Sequence, residues 1–169
     1  LMNGTGDGFS PNNNINRAQL VTVLYRMAGQ PEVTGENPFT DVPDTHWASH
    51  AVAYVYQHDL MDGTGEATFS PGSPLTRAMF VTILGRLAGA PENAGGDTGF
   101  TDLPAGQWYT EAVAWAAANS IVNGVSDTTF APNDPVTREQ MAAILYRYAK
   151  VKGYDTTQGG MAVREFTDY

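Results

Sequence analysis

The sequence predicts an all-α protein built from tandem helix-loop-helix repeats. Three observations predict this fold class. Two blocks of sequence recur along the 169-residue chain, apolar residues within them follow helical spacing, and one block contains a residue suited to cap a helix. Strand patterns are weak, because ATF (67–69) and TTF (128–130) could form only short extended pieces.

The repeat consists of an FTD block followed by a block that contains a TRA-type segment. FTD blocks occupy 39–59 and 100–120, and the opening letters return as FTDY at 166–169. The TRA-type blocks occupy 1–32, 60–92 and 121–153. These positions divide the chain into half a repeat (1–32), two whole repeats (33–92 and 93–153), and a linker with the start of a further block (154–169).

The FTD block predicts the first helix of each repeat. Its apolar residues follow the spacing i, i+1, i+4 and i+5, which places them on one helical face. They are Ala51, Val52, Val55 and Tyr56 in one copy, and Ala112, Val113, Ala116 and Ala117 in the other. We expect Gly63 and Gly124 to end this helix and the short apolar segment after it, which we call the exit segment. Such a position suits positive φ. The following FSP or FAP forms a loop, because proline stops a helix.

The TRA-type segment predicts the second helix. Its N-caps are Asn16, Thr76 and Thr137. Glutamine three residues later completes a capping box in the first and third copies, whereas Met79 interrupts it in the second. The buried face then follows the spacing i, i+4, i+7, with Leu20, Leu24 and Met27, then Phe80, Leu84 and Leu87, then Met141, Leu145 and Tyr148.

An arginine occupies the first position of all three second helices: Arg17, Arg77 and Arg138. The helix macrodipole disfavours a cation there. A guanidinium beside unpaired helix N–H groups would, however, bind a carboxylate or phosphate through both kinds of donor. The alternative is an internal salt bridge to Asp41, Asp102 or Asp168. Because exposed ion pairs contribute only about 0–1 kcal/mol, the recurrence favours ligand binding.

Composition argues against several functional classes. The chain has 18 acidic and 9 basic residues and a formal charge of −9, which opposes general binding of nucleic acid. It has no cysteine, no apolar run long enough to span a membrane, and neither a nucleophile–base pattern nor a glycine-rich phosphate loop. We therefore predict no enzymatic activity and no cofactor. His46 and His50 are spaced as a metal pair but lack a counterpart in the third repeat, so we predict no metal site.

The repeat resembles the S-layer homology domain family. The resemblance is carried by FTDV, by HW at 46–47, and by LMDGTGEATFSPGSPLTRAM at 60–79. It implies a pseudo-three-fold bundle with grooves between repeats. It also implies an extracellular location, where the module attaches surface proteins non-covalently to a secondary cell-wall polysaccharide, commonly pyruvylated. The fourth position of the family's TRAE pattern departs from glutamate, being Gln19, Met79 and Gln140.

The resemblance also suggests which residues bind the glycan. By chain order, one groove would combine Arg17 with Asp41 and Trp47, a second Arg77 with Asp102 and Trp108, and a third Arg138 with Asp168. The tryptophans would stack on sugar rings, and Gly63 and Gly124 would allow close approach of the backbone. The alternatives are core or interface positions for the tryptophans, turn caps for the aspartates, and simple helix termination for the glycines.

The predicted function is therefore anchoring to an acidic wall polysaccharide, which the resemblance implies is pyruvylated, without membrane insertion. The alternative is a structural module that exchanges repeat halves between chains in a surface lattice. The half-repeat at 1–32 leaves one helix without a partner, which either the block beginning at 166 or a complementing chain would supply.

Overall fold

A computed structural model describes residues 2, 4, 8–35, 37–90 and 96–156. These residues contain five helices: α1 (Arg17–Met27), α2 (Ser49–Gln57), α3 (Arg77–Ala88), α4 (Thr110–Ala118) and α5 (Arg138–Val151). Extended backbone within the same residues is limited to isolated bridges, such as Asn16 with Pro74 and Thr76 with Pro135. The prediction of an all-α fold is therefore confirmed. The described part of the chain contains no helix long and apolar enough to cross a membrane.

The chain divides into two compact units. Unit 1 comprises Leu1–Met2 and Ile15–Leu75, and unit 2 comprises Asn3–Asn14 and Thr76–Tyr169. Within unit 1, α1 packs against α2, and within unit 2, α3 packs against α4. The TRA-type helices α1 and α3 thus each pack against the first helix of the next repeat, while the pseudo-three-fold arrangement of repeats stays a prediction.

The predicted caps are confirmed at all three TRA-type helices. The side chains of Asn16, Thr76 and Thr137 accept hydrogen bonds from the third amide of α1, α3 and α5. In α1 and α5 the glutamine at that third position also accepts from the backbone amide of the capping residue, at 3.0 and 3.2 Å. Met79 cannot accept this bond, so α3 keeps only half of the motif.

The predicted core is largely correct. Leu20, Leu24, Phe80, Leu84, Met141, Leu145 and Tyr148 are buried, as are Val52, Val55, Val113 and Ala116. Burial raises the pKa of Tyr148 to about 12. Burial was overestimated for two residues near helix ends, since Met27 and Leu87 are half-buried. The prediction that Tyr56 belongs to the buried face of α2 was wrong, because 41% of this side chain is exposed.

The structural role predicted for two glycines was wrong. Positive φ occurs at Asp59 (54°) and Ser120 (56°), directly after α2 and α4, and not at Gly63 or Gly124. Those glycines are required for space instead. A Cβ atom on Gly63 would lie 2.5 Å from the ring of Phe39, and one on Gly124 would lie 2.6 Å from the ring of Phe100.

Candidate functional site

Each TRA-type helix begins with a buried arginine that holds the FSP or FAP loop of another repeat. The guanidinium carbon of Arg17 lies 4.5 Å from the ring centroid of Phe69, and its Nε donates to the Phe69 carbonyl at 2.8 Å. Arg77 repeats both contacts with Phe130, at 4.6 and 2.8 Å. We call this arrangement of a helix-initial arginine and a loop phenylalanine the arginine clamp.

The clamp recurs a third time at α5. Arg138 lies over the ring of Phe9 at 4.7 Å and donates from Nε to the Phe9 carbonyl at 2.7 Å. A second guanidinium nitrogen of Arg17 and of Arg77 also donates to the segment that follows α2 or α4. Arg17 donates to the carbonyl of Asp62 at 2.6 Å, and Arg77 donates to that of Asn123 at 2.9 Å.

The helix amides that the sequence suggested as anion donors already have partners. The first amide of α3, that of Arg77, donates to the carbonyl of Asp134 at 2.9 Å, and the second, that of Ala78, donates to Pro132 at 2.9 Å. Equivalent bonds join α1 to Ser73 and Pro71, and α5 to Asn13 and Pro11. Carbonyl oxygens therefore satisfy the positive helix ends. The prediction of an anion site built from a guanidinium and unpaired helix amides was therefore wrong, because these amides are paired.

The predicted aspartates belong to the same clamps. Asp41 accepts from the amides of Phe69 and Ser70 at 2.8 and 2.7 Å. Asp102 accepts from those of Phe130 and Ala131 at 2.8 and 2.7 Å. The aspartate thus binds the amide of the phenylalanine whose carbonyl the arginine binds. Neither the expected cap of the following turn nor an aspartate–arginine hydrogen bond describes this geometry.

The charges in the clamp are adjusted by burial and by their neighbours. Burial lowers the pKa of Arg17 and Arg77, and nearby acids partly oppose this shift: Asp41 and Asp62 in unit 1, Asp134 and Asp102 in unit 2. Burial acts to raise the pKa of Asp102, but hydrogen bonds from backbone amides and the charge of Arg77 bring it below its ordinary value. The lowered pKa of Asp102 favours its carboxylate form, the form that accepts from the loop amides.

Unit 2 contains a cavity of about 420 Å³ beside its clamp. One side is formed by Arg77 and by the exit segment 123–125, and the other by α5. The α5 residues that line it are Glu139, Gln140, Ala143, Ile144 and Arg147. The lining includes two residues predicted from sequence, Arg77 and Gly124.

Arg147 supplies the accessible positive charge of this cavity. Within the described residues it makes neither a hydrogen bond nor an ion pair, and it is half-buried. Arg77 is only 5% exposed and already bonded to two carbonyls. The sequence pattern alone gave Arg147 no binding role. It missed the pairing because Arg77 and Arg147 come from the helices of different repeats.

The predicted tryptophans lie at the surface. Trp47 and Trp108 are 64% and 60% exposed, so the alternative of core positions is wrong. The Trp47 ring stacks on His46 with centroids 5.4 Å apart, and Trp108 meets the edge of Tyr109 at 5.1 Å. Each therefore presents a largely solvated indole face. Asp168 lies outside the described residues, so the third predicted set keeps only Arg138 in view.

The described residues offer no cluster of metal-ligating side chains. No group of three or more histidines or carboxylates among them is arranged to hold a metal ion. The spacing of His46 and His50 therefore leads to no such cluster in this part of the chain.

Comparison with protein families identifies the repeat. A sequence model of the S-layer homology domain matches residues 1–21, 38–79 and 99–142. These segments contain every TRA-type and FTD motif described above except the FTDY at 166–169.

Curated relatives carry similar sequence within longer chains. A cellulosome-anchoring protein of Acetivibrio thermocellus is 31% identical over 96% of this chain and 37% of its own length. The S-layer protein sap of Bacillus anthracis is 29% identical over 82% of this chain and 16% of its own. An endoglucanase of Bacillus sp. (strain KSM-635) is 37% identical over 65% of this chain and 11% of its own. The chain thus spans well under half the length of these relatives.

Proposed function

Since the chain belongs to the S-layer homology domain family, we propose that it attaches a surface protein non-covalently to the cell wall by binding an acidic, pyruvylated secondary cell-wall polysaccharide. The observation that carries the proposal is the unit 2 cavity, where Arg147 lies opposite Arg77 and its side chain has no partner among the described residues. A carboxylate on a sugar is the ligand that suits a planar guanidinium with unused donors.

The predicted site residues take separate roles in this proposal. The clamp arginines Arg17, Arg77 and Arg138 and the aspartates Asp41 and Asp102 hold the loops that border each binding site. Gly63 and Gly124 leave room for the rings of Phe39 and Phe100 beside the exit segments that border the sites. Trp47 and Trp108 offer exposed faces on which sugar rings stack.

The cavity lining suggests how the anion would be bound. Arg147 would donate to the carboxylate. The backbone carbonyl of Asn123 accepts from Arg77, and its side chain would bind sugar hydroxyls. Glu139 also lines the cavity, and its carboxylate would accept from hydroxyls and repel a second acidic group. A singly acidic sugar therefore fits this lining better than a densely charged polymer such as a polyphosphate.

The module is proposed to act without catalysis, as an attachment. Relatives of this chain include both an anchoring protein and an endoglucanase, each with most of its length outside the shared region. An attachment module is expected to recur in proteins whose other domains have different functions. Its location is the cell surface.

A polymer-binding assay tests the proposal. The chain would be titrated with purified secondary wall polymer before and after mild acid treatment that removes ketal-linked pyruvate. We expect binding that weakens at least about ten-fold after treatment, because a charge-assisted hydrogen bond contributes about 1.5–3 kcal/mol. Equal binding before and after treatment would reject the acidic ligand.

A pair of variants locates the interaction. Arg147→Ala should weaken binding to intact polymer about ten-fold with an unchanged melting temperature, because its side chain has no internal partner to lose. Lys150→Ala removes one charge from the same helix, where the ammonium lies over Tyr146 and off the cavity. Equal losses for both variants would indicate a general charge effect and contradict a specific site.

A further inference from the structure

The exit segment of unit 2 contains an asparagine followed by a glycine, Asn123 and Gly124. In such a pair the backbone nitrogen of the glycine can attack the side-chain carbon of the asparagine, because glycine has no Cβ atom to hinder closure of the ring. The asparagine is then converted to aspartate or isoaspartate. In a folded protein the reaction depends on the hydrogen bonds that hold the two reacting groups.

Both reacting groups of this pair are without hydrogen bonds in the described part of the chain. The amide of Gly124 donates to no other group there. The side chain of Asn123 is exposed and likewise makes no hydrogen bond to these residues. Neither group therefore has to break a hydrogen bond before the two react.

A second asparagine of the same unit shows the protected arrangement. The side-chain amide of Asn119 donates to the carbonyl of Trp115 at 2.8 Å. The amide of the following residue, Ser120, donates to the carbonyl of Ala117 at 2.9 Å. Both bonds would have to break before this pair could react, so Asn119 is an internal control for Asn123.

The clamp arginine distinguishes Asn123 from an ordinary exposed asparagine. The carbonyl of Asn123 and the nitrogen of Gly124 belong to one peptide group, and this carbonyl accepts from a guanidinium nitrogen of Arg77 at 2.9 Å. When the nitrogen loses its proton, the negative charge is shared with the carbonyl oxygen. A cation bonded to that oxygen stabilises the anion, so the reactive form of the amide is more abundant than in a free peptide.

We propose that Asn123 is a site of spontaneous deamidation that Arg77 accelerates. Hydroxide removes the proton of the Gly124 amide, and the nitrogen forms a bond to the side-chain carbon of Asn123. The bond from that carbon to its NH2 group breaks, and the departing group takes a proton from water and leaves as ammonia. Water then opens the succinimide ring, which gives aspartate by attack at the side-chain carbonyl and isoaspartate by attack at the main-chain carbonyl. Unit 1 already has aspartate at the matching position, Asp62.

The modification changes the unit 2 cavity. Asn123 lines it together with Arg147 and Glu139, so either product adds a carboxylate beside the proposed anion site. Isoaspartate also lengthens the backbone where space is short, since a Cβ atom on Gly124 would lie 2.6 Å from the carbonyl oxygen of Thr129. Both products are expected to weaken binding of an acidic glycan, a consequence that rests on the proposed function.

Site-resolved mass spectrometry tests the modification without any ligand. The folded chain and a synthetic peptide of residues 119–127 are incubated at the same mildly alkaline pH. We expect Asn123 to convert at least about three-fold faster in the folded chain, because the gain in deprotonated amide is only partly offset by its weaker nucleophilicity. Asn119 of the folded chain should stay intact. Conversion of Asn123 no faster in the folded chain than in the peptide would overturn the proposal.

Arg77→Ala tests the role of the arginine. The variant should lower the rate at Asn123 to that of the peptide or below it, because the donor to the peptide group is lost. This expectation holds whether or not the variant folds, since an unfolded chain also lacks the contact. A rate equal to that of the unchanged chain would overturn acceleration by Arg77.

A binding measurement tests the consequence separately. The chain after incubation should bind acidic wall polymer at least about ten-fold more weakly than before, because like charges in one site repel. Asn123→Gln, which would have to close a larger ring, should show no such change over the same time. Conversion of Asn123 with unchanged binding would overturn the effect on the cavity. A fresh chain that binds no polymer would contradict the proposed function alone, since mass spectrometry decides the modification without polymer.

Discussion

The helix-initial arginines show how a cation can be accommodated at the N-terminus of a helix, where the macrodipole opposes it. A cation at the first position of α1, α3 or α5 faces the positive end of the macrodipole. The loop carbonyls that accept from the first two amides neutralise that end, and the loop phenylalanine offers its ring to the guanidinium. The arginine is therefore stabilised by a loop that it holds in place.

Removal of a clamp arginine should destabilise the protein. Arg77→Ala leaves the carbonyls of Phe130 and Asn123 without their donors, so we expect a loss of about 3 kcal/mol in the free energy of unfolding. Arg77→Lys should recover only part of this, since an ammonium lacks the planar fork and the stacking face. Urea unfolding measures both values.

The control for this prediction is Arg147→Ala, which removes an arginine without hydrogen bonds in the described structure. Its change should stay within about 0.5 kcal/mol. An equally small change for Arg77→Ala would show that the clamp contributes nothing to stability, and would return Arg77 to a purely ligand-binding role.

The sequence predicted the residues of the clamp better than their partners. Arg17, Arg77, Asp41 and Asp102 could be singled out because they recur at fixed positions. Their contacts with Phe69 and Phe130 could not be predicted, because the carbonyl and amide partners belong to backbone groups of a distant loop, which carry no residue-type pattern. The same limit hid the fact that Arg77 and Arg147 line one cavity, which depends on packing between repeats.

At the scale of the elements, helices were predicted well and their exits poorly. Capping residues and apolar spacing are local, so α1 to α5 and the caps of the TRA-type helices could be anticipated. The segments that follow the helices are determined by tertiary packing. Gly63 is needed where Phe39 and the carbonyl of Thr68 approach within 2.5 and 2.7 Å of its missing Cβ, a constraint that no local pattern reveals.

Substitution of an exit glycine should be strongly destabilising. Gly63→Ala introduces a methyl group that overlaps a ring and two backbone carbonyls, so we expect a loss of about 3 kcal/mol in stability. Gly72→Ala in the same unit is the control, because a Cβ there meets nothing within 4 Å. That change should be neutral or stabilising by up to about 1 kcal/mol.

Thermal unfolding with urea titration distinguishes these outcomes. A Gly63→Ala protein as stable as the Gly72→Ala protein would mean that the exit segment adjusts freely. In that case the glycine would be explained by access for a ligand and not by packing.

For the whole molecule, the proposed binding of an acidic polymer has to be compatible with a net charge of −9. Long-range attraction cannot bring the two together. Affinity has to come from local cations shielded by the fold, and in unit 2 these are Arg147 and the buried Arg77 beside one cavity. The chain belongs to the S-layer homology domain family, and the acidic glycan is a proposal that follows from the charges lining the cavity.

The measurement that tests the proposed site most directly is a titration of the ¹⁵N-labelled chain with short fragments of purified wall polymer, followed by NMR. We predict saturable shifts of the Arg147 Nε–H and Gly124 amide signals, with Lys150 signals unchanged, and loss of these shifts when the acidic substituents are removed. Fragments that bind while the Arg147 and Gly124 signals stay in place would contradict the unit 2 cavity as the binding site.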